Sequence, residues 1–162
     1  MSEITDLLER FRRAAEVVAV ATTGASNQEL DFTPGPGKWS VRQVACHLAD
    51  FELACAIRIR QLLTEDNPTL MGYPEDLWAE GLDHKTRKIS QAVESFRRVR
   101  AENHGLVKDL PESAFSRPGV HTERGPVTLG WLIRHGAEHA ENHARQMMNI
   151  RQAYKAAKRN SS

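Results

Sequence analysis

The sequence holds little that would mark a charged partner, a membrane or an oxidising compartment. Its 22 lysines and arginines nearly cancel its 21 aspartates and glutamates, for a formal net charge of +1. That balance removes any compositional argument for nucleic acid or an anionic membrane surface as a partner. No apolar run approaches the ~18 residues that a transmembrane helix needs. The longest, Val17-Val18-Ala19-Val20, directly follows Glu16. The opening MSEITDLLER is acidic at once, unlike a secretory or mitochondrial leader, so a cytoplasmic location is expected. The only cysteines are Cys46 and Cys55, with no CxxC, which reads as a pair of reduced thiols. On one helix their Cα atoms would stand roughly 13 Å apart, too far for a disulfide.

Several catalytic signatures are missing as well. There is no GxSxG, and GPGK at 35–38 is no phosphate loop because Phe32 stands where its first glycine would fall. The positions three before His47, His135, His139 and His143 are Val44, Leu132, Gly136 and Ala140, so the Glu-x-x-His pairs of a di-iron bundle are absent. HGAEH at 135–139 matches the inverted zinc-peptidase motif, but only Glu141 follows it as a possible acidic ligand. Cys46 beside His47 reads as a core thiol, because adjacent helical residues point ~100° apart.

What is present is a helical pattern. With 40% hydrophobic and 27% charged residues, the chain reads as one globular domain over 1–162. Segment 4–22 carries Ile4, Leu7, Leu8, Phe11, Ala14, Ala15 and Val18 at helical spacing. Residues 24–38 are rich in turn formers. Ser40 and Gln43 form a capping box, with Trp39 and Val44 as a staple. They open a second helix to about Leu63 with Val41, Val44, Leu48, Phe51, Cys55, Ile59 and Leu62 on one face. Residues 64–83 are a long connection with one helical turn at 75–80, long enough for a crossover. A third helix is predicted over about 84–109, facing inward with Ile89, Val93, Phe96, Val99, Leu106 and Leu110. The Pro- and Gly-bearing stretch 111–126 reads as a loop, and Thr128 caps a fourth helix running to about Tyr154 with a fraying tail. No strand is predicted. The expected fold is all-α, a four-helix bundle.

The abundant feature is histidine, seven in all, with His135, His139 and His143 inside nine residues. With Leu132 set at 0°, His139 falls near ~340° and His143 near ~20°, in the middle of the apolar stripe. Their i,i+4 spacing lets two imidazoles converge on one ion. His135 lies near ~300° and ~12 Å along the axis from His143, so the pair is either 135/139 or 139/143, and the centred pair is 139/143. Single histidines on an apolar face are commonly satisfied core residues, but two at the stripe centre each need a buried polar partner. A third ligand is required, and His47 is a candidate, although its angle places it on the flank of its helix, ~90° from the stripe centre.

GKWSVRQVACHLADFE (37–52) and EHAENHARQ (138–146) resemble the two signatures of DinB-like proteins, and the resemblance extends over nearly the whole chain. Ala144-Arg145 stands where many members have Arg-Gly. The resemblance implies an up-down-down-up bundle with a long crossover between the second and third helices. It also implies one divalent metal held by His47, His139 and His143. His135 would stand beside the ligands or in the adjoining cleft, and Gln146 matches the trailing glutamine without being assigned as a ligand. Relatives include metal-dependent transferases acting on low-molecular-weight thiols and proteins labelled hydrolases; many form dimers.

Together these readings predict a metal-dependent enzyme with an open coordination position, activating a small thiol or water for S-transfer or hydrolysis. Zinc or nickel is the expected ion, a small molecule the expected substrate, and a homodimer the expected state, with Tyr73 and Trp78 at the seam. Neither nucleic acid nor membrane is expected as a partner. Glu138, Asp50, Glu52 and His135 are the candidate catalytic helpers. The alternative is a non-catalytic, metal-stabilised bundle that binds a small ligand or a partner.

Overall fold

The computed structural model describes residues 2–161. Four long helices are built as the periodicity predicts: α1 (Glu3–Thr22), α3 (Val41–Thr64), α5 (Ile89–Val107) and α6 (Leu129–Asn160), with short helices α2 (Asn27–Asp31) and α4 (Glu75–Gly81) between them. Their starts are chemically marked. The Ser2 side chain accepts from Thr5 N–H, and the Thr128 side chain accepts from Trp131 N–H. At α3 the capping box is complete: Gln43 N–H donates to Ser40 Oγ while Ser40 N–H donates to Gln43 Oε1.

The helices form a four-membered ring in which α1 packs on α6 and α5, and α3 packs on α5 and α6. Cross-helix contacts give the directions. Glu3 meets Arg134 and Arg10 meets Glu141, so α1 and α6 are parallel. Glu52 meets Arg100 and Arg60 meets Glu102, so α3 and α5 are also parallel. Phe51 lies against both His135 and His139, and His47 against His139 and His143, so α3 is antiparallel to α6. The order is up-down-down-up, with the crossover between α3 and α5 carried by residues 65–88.

Four local expectations are corrected. The third long helix starts at Ile89 rather than 84. Its buried face is rotated from the predicted one: Ala92, Phe96, Arg100, Asn103 and Val107 point inward, whereas Leu106 is exposed. The fourth long helix continues to Asn160 rather than ending near Tyr154. The chain also contains strands. β1 (Thr69–Leu70) pairs in parallel with β2 (Pro118–His121), which pairs antiparallel with β3 (Gly125–Thr128). Gly125 supplies the positive φ of 74° that the hairpin turn needs. Gly119 leaves room for Leu62, whose Cδ2 would stand 2.8 Å from a Cβ there.

The apolar core falls into two clusters, one around Val44, Leu48, Phe96 and Met147, the other around Phe51, Ile59, Leu62 and Leu132. Arg100 stands between them, its guanidinium 3.9 Å from the Phe11 ring centroid and 4.8 Å from that of Phe96. The Arg100 guanidinium donates to both Glu52 carboxylate oxygens (2.8 and 2.6 Å) and to the carbonyls of Phe11 and Gly136. Asn103 donates to Glu52 as well, so this buried pair is fully dressed.

Candidate metal centre

Three histidines meet where α3 crosses α6. His47 comes from the first half of α3, and His139 and His143 from successive turns of α6. One imidazole nitrogen from each lies within 4.8 Å of the others. His47 Nε2 and His139 Nε2 are 3.2 Å apart. A tetrahedral ion with metal–nitrogen bonds of about 2.0–2.1 Å keeps its ligands about 3.3 Å apart, so this pair already has the required spacing.

The surroundings keep the rings neutral. Burial pushes His47 down to about 3, with His143 and then His84 adding repulsion. Burial likewise pushes His139 down to about 2, followed by repulsion from His143 and His47. His143 is lowered by burial, opposed by the hydrogen bond it donates to Gln146. No carboxylate pairs with any of the three among the described residues. Three uncharged nitrogen bases facing one point suit a divalent cation and give protons little reason to compete.

Neighbouring side chains fix the rings. His143 Nδ1 stands 2.7 Å from Gln146 Oε1, an atom that can only accept. The proton therefore sits on Nδ1, and Nε2 keeps its lone pair. Phe51 stacks on His139 at 3.8 Å between centroids, and Trp39 packs against His47 at 5.1 Å. His139 Nδ1 is buried without a hydrogen-bond partner, so the polar interactions of that ring run through Nε2.

The other sequence candidates are distributed differently. His135 is outside the three-residue group. Its ring lies 5.8 Å from that of His139 and stacks on Trp131 at 4.9 Å, where it lines a polar cleft. Asp50 faces the connection before α5, accepting from His84 Nε2 at 2.7 Å and from Arg87. Glu52 is locked to Arg100 in the core, and Glu138 is exposed on the outer face of α6. Tyr73 and Trp78 pack on each other at 4.5 Å. Both cysteines are free and buried on α3, and burial raises the Cys46 thiol to about 11. No helix is long and apolar enough to cross a membrane among the described residues.

Residues that sequence reasoning left without a role now have one. Gln146 orients a candidate ligand, and its signal was its place three residues after His143, which puts it on the same helix face. Arg58, His84 and His121 are buried polar residues that no spacing singled out.

Known proteins resemble this chain in sequence and fold. Residues 10–147 match the family model described as the DinB superfamily. A protein of Oceanobacillus iheyensis, OB0782, provisionally named a metal-dependent hydrolase, is 30% identical over 125 residues, spanning 77% of this chain and 72% of that one. YfiT of Bacillus subtilis, with the same provisional name, is 28% identical over 135 residues, spanning 80% of this chain and 72% of its own. The solved structure of YfiT, described as having "an unusual four-helix bundle topology", superposes with a TM-score of 0.79. It covers 92% of this chain and 89% of that chain at 26% identity. On its sequence match, its bundle order and its histidine triad, the chain belongs to the DinB superfamily.

Proposed function

We propose that His47, His139 and His143 ligate one divalent ion, zinc or nickel, and that the protein is a metal-dependent enzyme acting on a small molecule by hydrolysis or thiol transfer. The observation that carries this reading is the convergence of three neutral imidazoles from two helices, with one pair already at 3.2 Å. The provisional hydrolase names of OB0782 and YfiT support the hydrolytic branch. The family's thiol-dependent members support the other.

An ion held by these three histidines would have a coordination position free and would supply Lewis acidity, the chemistry that makes water or a small thiol nucleophilic near neutral pH. The residues of the chain do the rest. Gln146 holds His143 in the ligating tautomer. Phe51 and Trp39 wedge the rings of His139 and His47, so the donors are positioned before anything binds.

Elemental analysis of tag-free protein tests the reading. About one equivalent of metal per chain, falling in each of His47→Ala, His139→Ala and His143→Ala, is the expected result, and it opens screens for hydrolysis and thiol transfer. No uptake of zinc or nickel by folded protein would remove the proposal and leave the triad as core histidines.

A further inference from the structure

A second polar feature lies on the other side of Phe51 and His135 from the triad. There the β2–β3 hairpin, the segment after β1 and the second half of α3 enclose a narrow cleft of about 40 Å³. Its deepest charged group is Arg58, which is only 5% exposed. The other buried arginine, Arg100, has the Glu52 carboxylate as its counter-ion. Arg58 has none: its Nε and Nη2 both donate to the Met71 carbonyl, at 3.2 and 2.6 Å. Its other side-chain partner is the neutral Cys55 thiol, and a cation taken out of water without an ion-paired carboxylate is costly unless something else completes its surroundings.

Two neutral donors share the cleft. The Tyr73 hydroxyl is buried and has no hydrogen-bond partner. His121 Nδ1 accepts from the Glu123 N–H at 3.2 Å, which puts the ring proton on Nε2 and leaves that N–H as a further donor. A guanidinium, a phenol and an imidazole N–H thus line one small space whose two carboxylates, Glu75 and Glu123, form no hydrogen bond or ion pair with any of them. An oxyanion supplies the missing acceptors.

Size and rim charge narrow the class. The free volume suits a group equivalent to a few waters. Glu75 and Glu123 stand at the mouth beside Arg124. Glu75 is pushed above the usual carboxylate range by burial and then by Asp76 and Glu123, so this rim resists a second negative charge. A singly charged carboxylate head meets less of this repulsion than a dianion such as phosphate.

We propose that this cleft is a carboxylate-binding subsite that anchors the substrate through Arg58, Tyr73 and His121. As an anchor for the reaction it rests on the metal-centre reading, but the binding itself does not. His135 lines the cleft 5.8 Å from the His139 ring, and Phe51 lines it while stacking on that ring. The cleft and the triad thus share the wall made by Phe51 and His135, which puts a carboxylate seated in the cleft beside the metal centre.

The test uses the full chain, with and without zinc, titrated with propionate and with inorganic phosphate at constant ionic strength. Isothermal titration calorimetry reads binding, and zinc content is measured on the same samples. Saturable propionate binding, with phosphate weaker, is the expected result. Tyr73→Phe is the decisive variant, because deleting an unpartnered buried hydroxyl leaves stability unchanged or raises it. It should weaken propionate at least threefold without lowering Tm, and Arg58→Lys should weaken it at least tenfold. The proposal is overturned if wild type shows no saturable propionate response, if phosphate binds as well, or if Tyr73→Phe binds propionate as wild type does. Propionate binding in a chain that takes up no zinc would sink the metal reading and keep the subsite. Zinc uptake without propionate binding would do the reverse.

Discussion

Glu52→Ala strands the guanidinium of Arg100, a side chain 1% exposed between two aromatic rings. Of the four hydrogen bonds that Arg100 donates, the two to Glu52 vanish, and those to the Phe11 and Gly136 carbonyls remain. Asn103 loses its acceptor too. Breaking a buried pair from one side costs about 3–5 kcal/mol. At roughly 2–4 °C per kcal/mol for a domain of this size, Tm should fall by about 6–20 °C. Replacing both partners by apolar residues, Glu52→Leu with Arg100→Met, removes the uncompensated charge and should recover most of that loss. Urea denaturation followed by circular dichroism, run as a double-mutant cycle, gives the coupling directly. A loss below about 1 kcal/mol in Glu52→Ala, or a coupling of that size, would refute the argument that this pair is the electrostatic anchor of the core. The double variant should also take up metal as wild type does, because Glu52 makes its contacts with Arg100 and Asn103 and none with the triad. Loss of metal in a stable double variant would return Glu52 to the list of site residues.

Gln146→Leu deletes the acceptor that fixes the His143 tautomer, and zinc affinity should drop about 10- to 100-fold; competition with a zinc indicator measures it, and an unchanged affinity would end the orienting role. Metal-free protein should be acid-sensitive for a definite reason. His47 and His139 are held neutral down to about 3 and about 2. Below their ordinary value near 6.5 the unfolded chain therefore binds more protons than the folded one, and stability falls as pH drops. Each ring should cost about 2 kcal/mol by pH 5, with no change above about pH 7. Urea midpoints flat from pH 7 to 4 would contradict the burial of neutral rings.

The long helices were legible because each writes an apolar stripe and a capped start. The stripe of α3 appears in the core residue for residue. The inward face of α5 was not legible, because Arg100 and Asn103 read as surface residues until Glu52 is placed opposite them, and pairing across helices leaves no local pattern. The strands were missed for a related reason. They span at most four residues each and contain Pro118, Gly119 and Pro126; β2 and β3 pair as a local hairpin, but β1 joins them from a distant segment. Angles favoured 139/143, the two that converge with His47 in the structure, but placed His47 on a flank. The first half of α3 is buried nearly all round, from Val41 to Glu52, so distance from the stripe centre carries no information there. The resemblance supplied that residue, and packing explains why it was needed.

The ring order of the bundle has a consequence for how the chain reaches it. Helices α1 and α3 are diagonal, as are α5 and α6, and the adjacent pair α3 and α5 runs parallel across a connection. No two successive long helices form a hairpin. Every major interface therefore joins segments that must first close a long loop, and the largest, α1 against α6, brings Glu3 to Arg134. Loop-closure entropy has to be overcome before any of these contacts stabilises the chain. A bundle of this order should cross a higher entropic barrier than an up-down-up-down bundle of equal length. Its α1 and α6 become partners only when nearly the whole chain is present.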